Sequence, residues 1–116
     1  MKSQNKIEFL TFNRGTVRIY ETDEDDEILS DTGKSFKFGE KKIGINRYYA
    51  ARQNDIELAK VIYIHRNLNV STQHAAVING TRYKIEQVQQ EFNSNPPSTV
   101  LSLSQRGLLE GAADDY

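Results

Sequence analysis

Two histidines, one dense acidic run and one basic stretch carrying two tyrosines are the residues whose types and spacing could do chemistry. His65 and His74 titrate near neutrality and suit acid–base work or metal ligation. Either role needs convergent partners, and the sequence places none beside them. His65 lies in the strand-like Val61-Ile62-Tyr63-Ile64-His65-Arg66, and His74 closes the polar Ser71-Thr72-Gln73-His74, so both are expected to be structural or surface histidines. With no cysteine, the chain holds no disulfide, thiolate zinc site or thiol nucleophile. Its seven glycines are scattered singly, so there is no phosphate-cradling loop, and no Gly-x-Ser-x-Gly or paired-carboxylate arrangement occurs. The sequence predicts no enzyme and no cofactor.

The acidic run is ETDEDDEILSD, residues 21–31, whose seven acids are Glu21, Asp23, Glu24, Asp25, Asp26, Glu27 and Asp31. A calcium loop of the EF-hand type starting at Asp23 needs Gly at its sixth position and Glu at its twelfth, where this chain has Ile28 and Lys34. Dense like charge repels itself and resists packing, so 22–33 reads as a long solvated loop ending in an Asp31-Thr32-Gly33 turn. The net charge of −1 therefore hides segregation: without those seven acids, 15 bases face nine acids, a surplus of +6.

The next stretch carries Lys34, Lys37, Lys41, Lys42, Arg47 and Arg52 against Glu40 alone, with Tyr48 and Tyr49 near its end. Cations interleaved with aromatics suit contact with phosphates and stacked bases. A sequence-reading nucleic-acid binder is usually a clearly basic domain, whereas the pI here is about 6.1. The competing account makes the lysines the outward residues of a strand and the tyrosines core or subunit packing. The two glycosylation-type triplets, Asn69-Val70-Ser71 and Asn79-Gly80-Thr81, are chance matches in a chain without a visible secretory signal.

The elements that position these residues are mostly strands. Apolar residues at 7–12 and 17–20 flank Asn13-Arg14-Gly15 and predict a short hairpin. Phe36, Phe38, Ile43 and Ile45 alternate with polar residues or glycine and predict a half-buried strand over 35–46. Asn46, a good N-cap residue, opens a short helix over 46–55. Residues 60–66 are apolar on both faces, as in a central strand. Asn79-Gly80 between apolar runs predicts a two-residue hairpin, and Val88 falls one step out of phase with Tyr83 and Ile85, which predicts a bulge near Glu86-Gln87. Val100, Leu101 and Leu103 make a last strand, and 105–116 reads as a flexible tail. The expected fold is mainly β: a small antiparallel barrel or sandwich of six or seven strands with one short helix and a long acidic loop, in one domain over 1–104. A hydrophobic fraction of 37% and a mean hydropathy of −0.66 suit a small subunit that gains stability by assembling. The longest strongly apolar run, Val61–Ile64, falls far short of the ~20 residues that span a bilayer, so no membrane is expected.

From about Val17 to Leu103 the order of elements resembles the small bacteriophage head–tail connector proteins, the head-closure or stopper proteins and the related head–tail joining family. The resemblance rests on a strand, a long variable loop, a second strand and the segment Arg47-Tyr48-Tyr49-Ala50-Ala51-Arg52-Gln53. It continues with the strand Val61–Arg66 and the hairpin Val77-Ile78-Asn79-Gly80-Thr81-Arg82-Tyr83-Lys84-Ile85. The extra N-terminal strand and the acidic loop depart from common members. The resemblance implies a β-barrel subunit of a ring, typically a dodecamer. The ring lies below a portal or adaptor protein and above a tail protein, with packaged double-stranded DNA in its channel. It also implies a protein of the virion, assembled in the host cytoplasm. A projecting segment acts as the gate in such rings, and the candidates here are the acidic loop and 46–57, with Arg47, Tyr48, Tyr49 and Arg52.

An acidic surface meeting a basic one closes rings well. The expected subunit contact therefore sets Glu24, Asp25, Asp26 and Glu27 against Lys41 and Lys42 of a neighbour. Alternatives are a tail-completion or tail-terminator ring protein, and a small β-barrel that binds single-stranded nucleic acid.

Overall fold

A computed structural model describes residues 8–25, 27–54 and 56–108. Period-two alternation of β-branched and apolar residues dominates the sequence and builds the molecule, because alternate side chains of a strand share one face. In β2 (Gly15–Thr22), Val17 and Ile19 point inwards, and in β3 (Ile28–Lys41) Phe38 does so. Ile62 and Ile64 do the same in β4 (Leu58–His65), Ala76 and Ile78 in β5 (His74–Ile78), Tyr83 and Ile85 in β6 (Thr81–Glu91), and Leu101 and Leu103 in β8 (Ser98–Leu108). These six strands close in the order β2-β3-β4-β8-β6-β5, every pairing antiparallel, around one apolar core. The fold is a barrel and not a sandwich. β3 pairs with β2 up to Phe38 and with β4 only over Gly39, Glu40 and Lys41, so Lys34 and Lys37 lie in a stretch that is paired on one side, where charge keeps an edge soluble.

The β5–β6 turn is the expected one. Asn79 has φ 52° and Gly80 φ 81°, the left-handed pair that a tight hairpin requires. The register of β6 on β8 slips between Ile85 and Gln87, which brings Val88 back against the core.

Several local expectations are corrected. Residues 28–33 are strand and not loop: only 23–27 lie outside the β2–β3 pairing, and Asp26 is outside the described residues. Asp31 tolerates the sheet because Arg18 faces it at 3.0 Å, and Thr32 Oγ1 donates to the Ile19 carbonyl at 2.7 Å. Gly33, at φ 81°, takes up a register shift opposite Ile19 and Tyr20, so the foreseen turn is a bulge inside the strand. The predicted strand over 35–46 is the second half of β3 and ends at Lys41.

The N-terminal segment makes no hairpin with β2. β1 (Glu8–Phe9) pairs in parallel with β7 (Ser94–Asn95), and residues 10–14 then run as a strap over the barrel's outer wall. There Val61, Tyr63 and Val100 form a second apolar cluster, covered by Leu10, Phe12 and Ile43. This cluster is why β4 is apolar on both faces. Tyr63 donates its hydroxyl to the Thr11 carbonyl at 2.8 Å, and Arg14 N–H bonds to the Phe38 carbonyl at 2.9 Å. Gly39 lies beneath this crossing, where a Cβ would collide with the Tyr63 ring and the Thr11 carbonyl.

The helix α1 spans Ile45–Arg52, one residue earlier at its start and three shorter at its end than expected. Gly44, not Asn46, is the N-cap, and the N–H groups of Asn54 and Ile56 both bond to the Ala51 carbonyl, which closes the helix before Asp55. Residues 105–108, foreseen as tail, continue β8 alongside Thr81, Arg82 and Tyr83, and 109–116 lie outside the described residues.

Candidate interaction surface

The acidic residues gather at the β2–β3 tip. Asp23 organises it: its Oδ1 accepts the N–H groups of Asp25 at 2.8 Å and Glu27 at 2.9 Å, and its own N–H bonds to the Glu27 carbonyl at 2.9 Å. One carboxylate is thus spent on folding the turn, and Glu24, Asp25 and Glu27 are left exposed. Thr22 Oγ1 fixes the tip to the Gln73 carbonyl of the neighbouring loop at 2.7 Å. The fourth acid foreseen there, Asp26, is outside the described residues.

The foreseen basic partners occupy the other end of β3. Lys41 pairs with Val61, Val61 with Ser102, and Ser102 with Gln87, so the Lys41 level continues around the outer wall as a row. Lys42 follows, exposed, and with Lys41 it shares a depression of ≈560 Å³ with Ile45 and Arg47. Glu40 holds Arg14 at 3.4 Å and Lys60 at 3.7 Å close by. The chain does not bring its own acidic tip to its own lysines, because the fourteen residues of β3 separate them by roughly 40 Å.

The outer row of β8 explains how α1 sits on the barrel. Ser98, Val100, Ser102 and Ser104 face outwards yet are buried, beneath the strap, the helix and Glu86, whose carboxylate accepts from Ser104. Small side chains there allow close approach. Arg47 points inwards and donates to Ser102 Oγ at 3.2 Å and to Gln89 Oε1 at 3.0 Å. Behind it, α1 and the wall enclose a groove of ≈550 Å³ lined by Ala51, Ile56, Leu58 and Glu86 among others.

The remaining residues foreseen on the helix face solvent. Tyr48 and Tyr49 meet edge to face at 5.8 Å, and Arg52 pairs with Glu57 at 3.7 Å. Ile45, 70% exposed, lies on the same side, and no residue of α1 is buried. Sequence reasoning missed Ile45, which it placed inside a strand, and Leu29, 62% exposed next to the acidic tip. Leu29 was hidden by the charges around it.

The histidines have local roles. His65 stacks on Phe12 with centroids 3.9 Å apart and helps hold the strap. His74 Nδ1 accepts the Ser71 N–H at 3.0 Å, with Ser71 Oγ 3.3 Å away, which ties the loop before β5. Among the described residues no three His, Asp or Glu side chains converge to hold a metal ion.

Two groups with shifted titration also stabilise the barrel wall. The Asp31 carboxyl is held below its usual range, first by the Gly33 N–H and then by Arg18, and the Arg18 guanidinium is correspondingly raised by Asp31.

The geometry defines a closed antiparallel barrel with an external helix, an acidic pole and a basic, aromatic flank. No protein-family model matches the chain, and no curated protein matches it.

Proposed function

We propose that the chain is a structural subunit of a bacteriophage head–tail connector. It would assemble into a ring beneath the portal, close the DNA exit channel and offer the tail its docking surface. The observation that carries this reading is the insertion of α1 between β3 and β4 as an external helix with no buried residue, on a closed barrel whose acids and bases are segregated. A helix this short is marginal alone, and its outward apolar side chains gain free energy only when a partner covers them. The order of elements resembles the connector family along the same span, and a ring repeats each modest contact by symmetry. The partners in this reading are further copies of the chain, a portal or adaptor protein, a tail protein and DNA held without sequence preference.

Negative-stain microscopy of the purified protein with portal-bearing capsids tests it. The expected result is ring density at the portal vertex, and capsids whose vertices stay bare at saturating protein would sink the proposal. The exposed Tyr48–Tyr49 pair, which follows Lys42 by six residues in the chain, supports a second reading, a single-stranded nucleic-acid barrel. That reading requires oligonucleotide affinity that falls steeply with salt.

A further inference from the structure

Ile45, Tyr48 and Tyr49 follow i, i+3, i+4 spacing, so they share one face of α1, and Arg52 at i+7 extends it. Lys42 lies at the edge of that face, in the depression it shares with Ile45. The result is an apolar patch bordered by cations. At the far end of β3, Leu29 stands exposed two residues beyond Glu27, on the strand that leaves the acidic turn: an apolar side chain that follows a run of carboxylates in the chain. Neither Lys42, Glu24 nor Asp25 forms an ion pair among the described residues.

We propose that these surfaces are the two halves of one head-to-tail contact between copies of this chain. The acidic hairpin tip of one copy, with Leu29 as its anchor, docks on the Ile45–Tyr48–Tyr49 face of the next, between Lys42 and Arg52. The proposal rests on the connector reading and deepens it by assigning the subunit contact. It also moves Tyr48, Tyr49 and Arg52 from the channel to the interface.

Three physical points carry it. The surfaces are complementary in both charge and polarity, which fixes partner and orientation together. They cannot meet within one chain, since β3 holds them roughly 40 Å apart, and two different patches on opposite ends of a subunit propagate into a ring or a filament instead of a closed pair. At the tip the Asp23 carboxylate already holds the backbone N–H groups of Asp25 and Glu27, and on the helix the Tyr48 and Tyr49 rings already meet, which lowers the conformational freedom lost on docking.

The absence of native cysteine gives a clean test. In L29C/Y49C the only two thiols lie on opposite halves of the contact. Oxidation at high protein concentration is expected to give a covalent ladder beyond the dimer whose links are 29–49 disulfides by peptide mapping, and a ladder linked 29–29 and 49–49 overturns the contact. No ladder from the double variant overturns the contact. Charge reversal supplies the second arm: E24K/D25K and K42E/R52E should each weaken self-association about tenfold, since several modest pairs invert together. Mixing the two variants restores every pair in alternation, so the mixture should recover wild-type sedimentation. A mixture that stays as weak as its components overturns the proposal, as does an oligonucleotide that protects Tyr48 and Tyr49 while self-association stays intact. Rings on capsids without the ladder would keep the connector reading and discard this contact. A ladder without capsid binding would do the reverse.

Discussion

Arg47 Nη1 donates to Ser102 Oγ at 3.2 Å, a contact between residues 55 apart in sequence that fastens α1 to the barrel's outer wall. The second guanidinium nitrogen reaches Gln89 Oε1 at 3.0 Å, so one side chain bridges β8 and β6. Because the helix buries none of its own residues, this bridge does much of what an apolar face does elsewhere.

Replacing Arg47 with Ala should therefore loosen the helix while the barrel keeps its shape. A hydrogen bond to a charged group contributes about 1.5–3 kcal/mol and a neutral one about 1. Amide exchange over 45–52 should accelerate by about tenfold or more, while the exchange of β4 and β8 stays put. Arg47→Lys, with a single point donor, should recover part of the protection. Unchanged exchange in Arg47→Ala would show that the bridge does not hold the helix.

Gly39 and Gly33 separate crowding from backbone strain. At Gly39 an added methyl meets the Tyr63 ring and the Thr11 carbonyl, so Gly39→Ala must displace the strap or the strand. At Gly33 a methyl meets nothing within 4 Å, but φ is 81°. Urea denaturation should show Gly33→Ala losing about 1 kcal/mol and Gly39→Ala about 1–3 kcal/mol. Gly39→Ala should also change the near-ultraviolet circular dichroism of Tyr63, and Gly33→Ala should not. Equal losses with unchanged spectra would contradict the crossing described for the strap.

What was legible in the sequence follows how local the deciding physics is. The Asn79-Gly80 turn and the bulge between Ile85 and Gln87 depend on neighbours a few residues away, and both could be read directly. The barrel's core followed from alternation in the same way. β1 could not be read, because its partner Ser94–Asn95 lies far along the chain and the pairing is parallel. Strand 28–33 is hidden from the sequence for a related reason: the charge of Asp31 is answered by Arg18 from the neighbouring strand, a contact that composition cannot show. Of the interaction surface, the charges were legible but the apolar anchors were not. Leu29 and Ile45 look like core residues until the register shows which face they occupy.

Asp31 predicts a pH effect with a definite sign. Its folded carboxyl titrates below the usual value, so the stabilisation is fully present above the unfolded-chain pKa of ~3.9 and is lost as pH falls through the lower folded value. The Gly33 N–H is the largest single cause, and Arg18 adds both a hydrogen bond and its charge. Arg18→Gln should therefore move the Asp31 titration only part of the way back to normal, as followed by carboxyl carbon chemical shifts. A complete return would assign the effect to Arg18 instead of the bulge. Asp31→Asn should flatten the acid limb of the stability profile between pH ~4 and the folded pKa.

The strap offers a test of whether the outer cluster folds as a unit. Tyr63 donates to Thr11, and its ring meets Phe12 edge to face at 5.3 Å while Phe12 stacks on His65. Tyr63→Phe removes the hydrogen bond and leaves the Thr11 carbonyl without its phenol partner, at a cost of about 1 kcal/mol. Phe12→Ala strips cover from Val61 and Tyr63 and, for a half-buried ring, should cost about 2 kcal/mol. Because both changes act on one crossing, the double variant should cost less than the sum by at least ~0.5 kcal/mol. Additive losses would mean that the strap residues contribute separately, and that residues 10–14 lie on the barrel without being locked to it.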